Sequence, residues 1–305
     1  MQKKTVGINI TRRCNLKCPH CFYSELLEYP ETKAYDSKID IDVDKLINFF
    51  DFHKFKEIFL SGGEPTTYPR LLELLHYLSK KCEAINICTN GVNIPIEINN
   101  FSKKNNVKYL ISVRNDSDKM FFSKILSIIN QGIKVELYHV LNENSTKVLK
   151  NILILGNKIK KLRLLYSTSS KNNNYAMYNF NEWNTLLKNA YKILFPIIEK
   201  VEVEIAFVPV DIIIKNESNR GAVPRYFIDM DLKVYSCPLL VENKNGKHIL
   251  ENFPQECDSK KCPIFSKTIE HPAGVKRICP FVLMKLENLL ELEKKYRRNI
   301  YGDNY

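Results

Sequence analysis

Residues 57–65 read Glu57-Ile-Phe-Leu-Ser-Gly-Gly-Glu-Pro65. The apolar half of this stretch predicts a buried strand. A helix is predicted directly after it, because Pro69 suits a first helical turn and four leucines then share one side of the helix. These are Leu71, Leu74, Leu75 and Leu78. The glycines therefore follow the carboxyl end of a strand, which is where α/β folds bind their ligands.

The same order of strand and helix recurs on both sides of this stretch. The helix before it is capped by Asp42 and has apolar residues on one face, and a later helix stops at Gly132. Such repeats predict an α/β fold with a parallel sheet and right-handed crossovers. The predicted strands are Thr5–Ile10, Ile58–Leu60, Ala84–Cys88, Tyr109–Val113, Val135–Val140 and Leu162–Leu165.

Three cysteines follow the first predicted strand, with the spacing C-x3-C-x2-C. They are Cys14, Cys18 and Cys21. Three thiolates this close together can hold three irons of a four-iron cube and leave the fourth iron without a protein ligand. An open metal position is typical of catalytic metal sites, whereas structural sites are closed. The spacing alone also fits a structural metal site whose fourth ligand lies elsewhere.

Four further cysteines occur near the end of the chain, at Cys237, Cys257, Cys262 and Cys279. Four thiolates can ligate one Fe–S cluster completely or hold one structural Zn²⁺, and the spacing does not choose between them. Residues 201–207 alternate apolar and charged side chains and predict a half-exposed strand. Residues 226–237 predict a hairpin that ends at Cys237.

The composition limits the classes of protein that fit. A chain of 305 residues is long enough for two domains, although an α/β barrel can use the whole length. No stretch is apolar enough to span a bilayer and no secretory segment begins the chain, so we expect a cytoplasmic protein without a membrane partner. Clustered cysteines in that compartment favour metal over disulfides. The net charge of +12 comes from lysines spread along the chain, which argues against a dedicated nucleic-acid site.

Together, the cysteine triplet and the Gly62-Gly-Glu-Pro65 motif resemble the radical S-adenosylmethionine (SAM) superfamily. The resemblance implies a partial (β/α)6 barrel, with the cofactor site at the carboxyl ends of the strands. It further implies that Cys14, Cys18 and Cys21 bind a [4Fe–4S] cluster, and that the open iron chelates SAM. The chain would then be an enzyme, although no residue is assigned as catalytic.

The resemblance also assigns residues to SAM. Gly62, Gly63, Glu64 and Pro65 would line the methionine end, and Glu64 offers an acceptor to the ammonium group. Weaker similarity assigns Asn90, Ser112 and Asn144 to the same cofactor site, although a helix cap explains Asn144 equally well. His20 occupies a position that the family usually gives to an aromatic residue near the adenine; a loop histidine without a ligand role is the alternative. Arg114 replaces the usual acid of the fourth-strand segment.

The tail is similar to the SPASM and twitch extensions of radical SAM enzymes, which carry auxiliary Fe–S clusters. Two departures are visible: Leu232 stands where a turn glycine is expected, and no cysteine lies near residues 219–221. We therefore expect one auxiliary site at most, with a second Fe–S cluster favoured over zinc. The predicted domains are a radical SAM barrel over residues 1–200 and the extension over residues 201–305.

The reaction follows from the resemblance. An external one-electron reductant would reduce the cluster, SAM would be cleaved to a 5′-deoxyadenosyl radical, and this radical would abstract hydrogen from a substrate. A peptide is the expected substrate, by oxidation or crosslinking, and a separate precursor-recognition protein is a further expected partner. The alternatives are a small metabolite or nucleotide-containing substrate, or a non-catalytic metal-binding module with a nucleic-acid partner.

Overall fold

The fold is described from a computed structural model. The model describes residues 5–18, 21, 27–28, 34–166, 180–209, 226–230, 232–235, 247–248 and 278–285. The chain divides into two compact units. The first comprises Met1–Ser112, Ile128–Val135 and Ala222–Ile264, and the second comprises Val113–Ser127, Glu136–Gly221 and Phe265–Tyr305.

The first unit is built on four parallel strands that pair in sequence order. They are β1 (Thr5–Thr11), β2 (Glu57–Gly62), β3 (Ala84–Thr89) and β4 (Val107–Val113). Parallel neighbours need crossover connections, and here the connections contain helices. These are α1 (Val43–Phe52), α2 (Leu71–Leu78) and α3 (Ile96–Lys104).

Both of the first two helices bury an apolar stripe, and α1 begins directly after the predicted Asp42 cap. Helix α2 begins at Leu71, so Pro69 precedes the helix instead of lying in its first turn. Asp42 caps α1 by accepting a hydrogen bond from the Lys45 backbone N–H. The four leucines of α2 are buried, as their spacing predicts. The buried residues of α1 are Val43, Leu46, Phe49 and Phe50. Ile47, which the apolar pattern also places on this face, is only half-buried.

The sheet of the first unit has two chemically different faces. The Tyr109 hydroxyl lies 3.0 Å from both Asn99 Oδ1 and Ser102 Oγ on α3, so the Tyr109 side chain faces the helices. Register and pleat extend that face across the sheet to Ile87, Leu60 and Ile8. The residues that follow each of these four point the opposite way, to what we call the inner face. They are Asn9, Ser61, Cys88 and Leu110.

Three short strands extend this sheet beyond β1. They are β8 (Tyr226–Ile228), β9 (Lys233–Tyr235) and β10 (Lys247–His248). The β8 strand runs parallel to β1, whereas β9 is antiparallel to both β8 and β10. The predicted hairpin is therefore confirmed, and it lies against the first strand of the chain.

Leu232 closes this hairpin in the left-handed backbone region, with φ of 57°. This is the conformation that a turn glycine adopts freely. Leu232 therefore adopts the backbone conformation that the expected glycine would have. The Leu232 side chain is 6% exposed, so its burial offsets the backbone strain.

The second unit holds most of β5 (Lys134–Leu141), together with β6 (Lys161–Tyr166), β7 (Glu202–Pro209) and β11 (Ile278–Lys285). The first three of these strands are parallel, and β11 pairs antiparallel with β7. Helices α5 (Ser145–Ile152) and α6 (Phe180–Leu194) belong to this unit. Helix α4 (Lys119–Asn130) passes from one unit to the other.

All six predicted strands of the repeat are confirmed, each with one or two extra residues at one or both ends. Helix α3 is an element for which no prediction was made. Helix α5 ends at Ile152, and a 3₁₀ segment follows in which Gly156 adopts φ of 52°. The predicted domain boundary at residue 200 remains a prediction, and the two compact units divide the chain differently.

Within the described part of the chain, every helix is too short or too polar to cross a bilayer.

Replacing Leu232 by glycine tests the balance between strain and burial in the hairpin. A left-handed non-glycine residue costs about 1–2 kcal/mol, whereas full burial of a leucine side chain contributes roughly 1.5–3 kcal/mol. We expect Leu232→Gly to lower the free energy of unfolding by about 1 kcal/mol in urea denaturation, because glycine also loses more backbone entropy on folding. Leu232→Asn, which tolerates this backbone but lacks the apolar side chain, is expected to lower it similarly. A more stable glycine variant would contradict the proposed balance.

Candidate functional site

The cysteine triplet begins directly after β1. Cys14, Cys18 and Cys21 are half-buried cysteines. The Cys14 backbone N–H donates to Glu28 O at 3.0 Å, and the Cys21 N–H donates to Cys18 O at 3.1 Å. The first cysteine is therefore anchored to the chain beyond the loop, and the last two are joined by a turn.

The glycine motif lies against the chain that leads into this loop. The Gly63 N–H donates to Thr11 O at 2.8 Å, and the Glu64 N–H donates to Arg13 O at 2.6 Å. A Cβ atom on Gly62 would collide with Thr11 O, and one on Gly63 would collide with Arg13 O. Gly62 also adopts φ of 125°, which side chains disfavour. The two glycines are thus required by the close approach of residues 11–13 to residues 62–64, which we call the backbone interlock.

A buried ion pair holds the same segment from the other side. Arg13 Nε lies 2.9 Å and 3.0 Å from the two carboxylate oxygens of Asp40, and Nη2 lies 2.7 Å from Oδ2. The two side chains are 3% and 0% exposed. Thr11 Oγ1 donates to Asp40 Oδ1 at 2.7 Å, and the Asp36 N–H donates to Oδ2 at 3.0 Å. The carboxylate is therefore bonded on both oxygens, as burial of a charge requires.

Glu64 points into the protein and joins the glycine motif to the end of β3. Its Oε1 accepts hydrogen bonds from the Thr66 N–H, the Thr66 hydroxyl and the Thr89 hydroxyl at 3.1, 2.7 and 2.7 Å. Its Oε2 accepts from the Asn90 N–H at 2.6 Å. Burial raises the pKa of this carboxyl, and those hydrogen bonds act in the opposite direction. Four donors thus fix a side chain that is 1% exposed.

Asn90 connects this carboxylate to the cysteine loop. Its Nδ2 donates to Asn15 Oδ1 at 2.7 Å, and its Oδ1 accepts from the Val92 N–H at 2.9 Å. Ser112 directly follows Ile111, the register partner of Thr89, so Ser112 and Asn90 lie at the same sheet edge. Ser112 is exposed there. The first unit therefore brings the cysteine loop, Glu64, Asn90 and Ser112 to one edge, which we call the cofactor edge.

The donor set at this edge fits a thiophilic metal centre. Burial raises the pKa of the Cys14 thiol, and the Glu64 carboxylate adds to this increase. A bound metal ion would reverse the shift, because a coordinating thiol is deprotonated. Among the described residues, no three cysteine, histidine or acidic side chains are already assembled into a metal-binding group. The three cysteines thus fit an iron–sulfur cluster by chemistry and by position, and their sulfurs would be gathered by the metal.

The remaining predicted site residues are distributed elsewhere. Asn144 lies in the second unit, exposed at the start of α5, and its side chain makes no capping hydrogen bond. Cys279 belongs to β11, where it pairs with Val208. His20, Cys237, Cys257 and Cys262 lie outside the described residues. The assignments of all these residues therefore stay predictions.

Sequence reasoning missed several residues that shape this edge. They are Arg13, Asn15 and Asp40. Arg13 and Asn15 flank Cys14, so their position next to a candidate ligand is a signal that was available. Asp40 carried no such signal, because its partner Arg13 is 27 residues away.

Adding one methyl group tests the backbone interlock. We expect Gly63→Ala to separate residues 62–64 from Arg13, because its Cβ would meet backbone rather than a movable side chain. The expected cost is about 3 kcal/mol of unfolding free energy, with a lower iron content after anaerobic reconstitution. Gly132→Ala is the control: Gly132 has a positive φ, of 88°, which Gly63 does not, and a Cβ there meets nothing within 4 Å. We expect it to cost only the backbone strain, about 1 kcal/mol, and to leave the iron content unchanged. Equal iron loss in both variants would contradict this role of Gly63.

The network around Glu64 predicts a specific effect of glutamine. Both carboxylate oxygens accept a backbone N–H, so the amide nitrogen of Glu64→Gln must face one of those donors. A buried unsatisfied donor costs about 1–3 kcal/mol. We expect this loss in urea denaturation at neutral pH, together with weaker SAM binding in equilibrium dialysis, because Asn90 shifts. Glu73→Gln, in the exposed pair with Arg70, is the control and should change stability by less than about 1 kcal/mol. A Glu64→Gln variant as stable as the control would contradict the role of the network.

A family model described as the radical SAM superfamily matches residues 8–159. This stretch contains the cysteine triplet, the glycine motif, Asn90 and Ser112, and it runs from within β1 to beyond the end of α5.

A curated relative adds a partial match. Fe-coproporphyrin III synthase of Methanosarcina barkeri (strain Fusaro / DSM 804) is 29% identical over 181 residues, which are 54% of this chain and 44% of that protein. This chain therefore spans less than half the length of that relative.

Two solved structures have the same fold. Streptococcus suis SuiB bound to its precursor peptide SuiA superposes with a TM-score of 0.63 at 14% identity, covering 82% of this chain and 63% of that one. The structure of native anSMEcpe with bound AdoMet and the Kp18Cys peptide superposes with a TM-score of 0.60 at 17% identity, covering 98% of both chains. At these identities the likeness concerns the fold alone, and it confirms the predicted fold class.

The geometry of the cofactor edge and these matches lead to one assignment, which also supports the prediction of an enzyme: residues 8–159 of this chain are a radical SAM superfamily domain.

Proposed function

We propose that the chain is a radical SAM enzyme that holds a [4Fe–4S] cluster on Cys14, Cys18 and Cys21. The backbone interlock carries this proposal, because it joins the cysteine loop to the Gly62–Pro65 motif at the carboxyl ends of the strands. When bound, the reduced cluster supplies the electron for cleavage of SAM to methionine and a 5′-deoxyadenosyl radical, which abstracts hydrogen from the substrate.

The residues of the cofactor edge would perform binding and orientation. Gly62–Pro65 would line the methionine end of SAM, and the buried Glu64 would keep Asn90 beside it through the Asn90 N–H. Asn90 also holds the cysteine loop through Asn15, so a single side chain would orient both cofactors. The exposed Ser112 offers a hydroxyl near the SAM ribose, and Asn144 and His20 are further proposed contacts.

A peptide is the substrate that we favour. SuiB has been solved with the precursor peptide SuiA and anSMEcpe with a peptide, and both share this fold. The confirmed hairpin of residues 226–235 also supports a SPASM-like or twitch-like extension. In that extension, Cys237, Cys257, Cys262 and Cys279 would hold a second Fe–S cluster, with zinc as the alternative. An external one-electron reductant and a precursor-recognition protein complete the proposal.

A small-molecule substrate is the second candidate, and one observation favours it. The relative from M. barkeri, whose name identifies it as a synthase of Fe-coproporphyrin III, is more similar in sequence to this chain than either peptide-bound structure. The two candidates use the same cofactor edge and differ only in the substrate, which is a peptide in one and a small molecule in the other.

Anaerobic reconstitution tests the proposed chemistry. We expect a brown protein that releases 5′-deoxyadenosine from SAM when a reductant is added, and a Cys14/Cys18/Cys21→Ala variant that releases none. Cys82→Ala is the matched control: burial raises the pKa of Cys82 to about 11, so its thiol stays protonated. That variant should cleave SAM normally. Zinc in place of iron, or SAM cleavage by the triple variant, would exclude the proposal.

Iron counting on the same triple variant then examines the tail. About four irons per chain should remain if the tail holds a [4Fe–4S] cluster, and zinc should be found instead if the site is structural. The substrate class is assayed separately, by mass spectrometry of a peptide encoded beside the gene after a single turnover. An unmodified peptide, with SAM cleavage intact, would favour the small-molecule candidate.

A further inference from the structure

Asn9 is a buried amide on the inner face of β1. Its register partner on β2 is Ser61, and on its other side lies Asp229, which directly follows β8. Asn9 is 4% exposed and Asp229 is 7% exposed. Asn9, Ser61 and Asp229 thus form one row across neighbouring strands, and all three belong to the first unit.

The orientation of the Asn9 amide follows from its partner. Asn9 Nδ2 donates to Asp229 Oδ1 at 2.8 Å. Because a carboxylate only accepts hydrogen bonds, the nitrogen must face Asp229, and the oxygen must point elsewhere. That oxygen is buried and has no hydrogen-bond partner among the described residues. A buried acceptor left unsatisfied costs about 1–3 kcal/mol, so its position calls for a donor supplied by something bound there.

The row lies just below the cofactor edge. Asn9 precedes Thr11 by two residues, Ser61 precedes Gly63 by two, and Cys88 precedes Asn90 by two. At roughly 3.3 Å per strand residue, the row is about 7 Å from that edge. A group bound at this row would lie on the inner face of the sheet, next to the cofactor edge.

The next row down is more apolar. It contains Phe59 on β2 and Phe227 on β8, and Phe227 pairs with Tyr235 on β9. Phe59, Phe227 and Tyr235 are 8%, 7% and 2% exposed. Asn86, the register partner of Phe59, also belongs to this lower row, and its oxygen, like that of Asn9, has no partner among the described residues. Of these two buried acceptors on the inner face, the Asn9 oxygen lies nearer the cofactor edge.

We infer that Asn9 is a substrate-specificity residue, whose Oδ1 accepts a hydrogen bond from an amide N–H of the bound substrate. A neutral acceptor suits a neutral donor, and a peptide offers such an N–H at every residue except proline. Asp229 is the positioning residue, because it turns the Asn9 oxygen toward the bound group. The inference rests on the proposed function. It adds the substrate group that the site recognises, which is an amide N–H.

Two small amides test the inference without the natural substrate. Anaerobic crystals of the SAM-bound holoenzyme are soaked with N-methylacetamide, which carries one N–H, or with N,N-dimethylacetamide, which carries none. We expect N-methylacetamide bound with its nitrogen at hydrogen-bond distance from Asn9 Oδ1, and no N,N-dimethylacetamide there. Equal binding of the two probes, binding of neither, or an Asn9 oxygen already bonded to a donor of this chain would overturn the inference.

Turnover of an encoded peptide supplies a second measurement on the holoenzyme. Asn9→Leu should raise KM about tenfold, the equivalent of one lost hydrogen bond. Asn86→Leu is the matched control: Asn86 is equally buried, its Nδ2 donates to Glu57 Oε1 at 2.8 Å and its oxygen also lacks a described partner, but it lies one row farther from the cofactor edge. Its KM should stay within about twofold. Equal increases in both variants would overturn the inference.

The two experiments separate this inference from the proposed function. If the wild-type enzyme modifies no peptide, the proposed peptide substrate is wrong, and the amide probes still decide whether Asn9 accepts an N–H donor. If the peptide is modified and the probes ignore Asn9, the inference alone is wrong. Should Asn9→Leu fail to fold, the two probes on the wild-type protein decide the question.

Discussion

The cofactor edge depends on one contact between two pieces of backbone. The carbonyl groups of Thr11 and Arg13 accept hydrogen bonds from Gly63 and Glu64, at a distance that leaves no room for a side chain on Gly62 or Gly63. Backbone positions are stiff, because few φ/ψ combinations are allowed and such close approaches permit little adjustment. The contact therefore determines where the cysteine loop starts relative to the end of β2. The sequence assigns Gly62 and Gly63 to ligand binding, but in the structure both glycines are required by the packing of the backbone itself.

Buried polar groups hold this contact from both sides. A buried ion pair such as Arg13–Asp40 adds little net stability, because desolvation offsets most of the attraction. Its contribution is geometric: the guanidinium approaches the carboxylate through Nε and Nη2, and Thr11 and Asp36 occupy its oxygens as well. The Glu64 carboxylate also fixes geometry, because it accepts four hydrogen bonds from residues 66, 89 and 90. A binding edge that is rigid before its cofactors arrive loses less entropy when they bind.

Local sequence patterns predicted the parts of this protein that depend on short-range order. The six strands, the Asp42 cap and the leucine stripe of α2 all follow from periodicity and capping within a dozen residues. Helix α3 was missed because its apolar positions are few, with only Ile98 and Phe101 buried among the large side chains. The pairing of β8 with β1 and the Asn9–Asp229 bond join residues about 220 positions apart. No local pattern encodes such contacts, so the inner face became visible only in the folded chain.

The same long-range contact separates two tasks within the first unit. The cofactor edge is formed by the cysteine loop, residues 62–66, residues 89–90 and Ser112, all from the first 112 residues of the chain. The row below it takes Asp229 from the hairpin, whose turn is closed by the hydrogen bond from Leu232 N–H to Asp229 O. A change in the hairpin therefore alters the inner face while leaving the backbone interlock intact. Under the proposed function, variation in the extension would change the row that faces the substrate and leave the edge that binds SAM unchanged, because the two sets of side chains lie on different rows of the sheet.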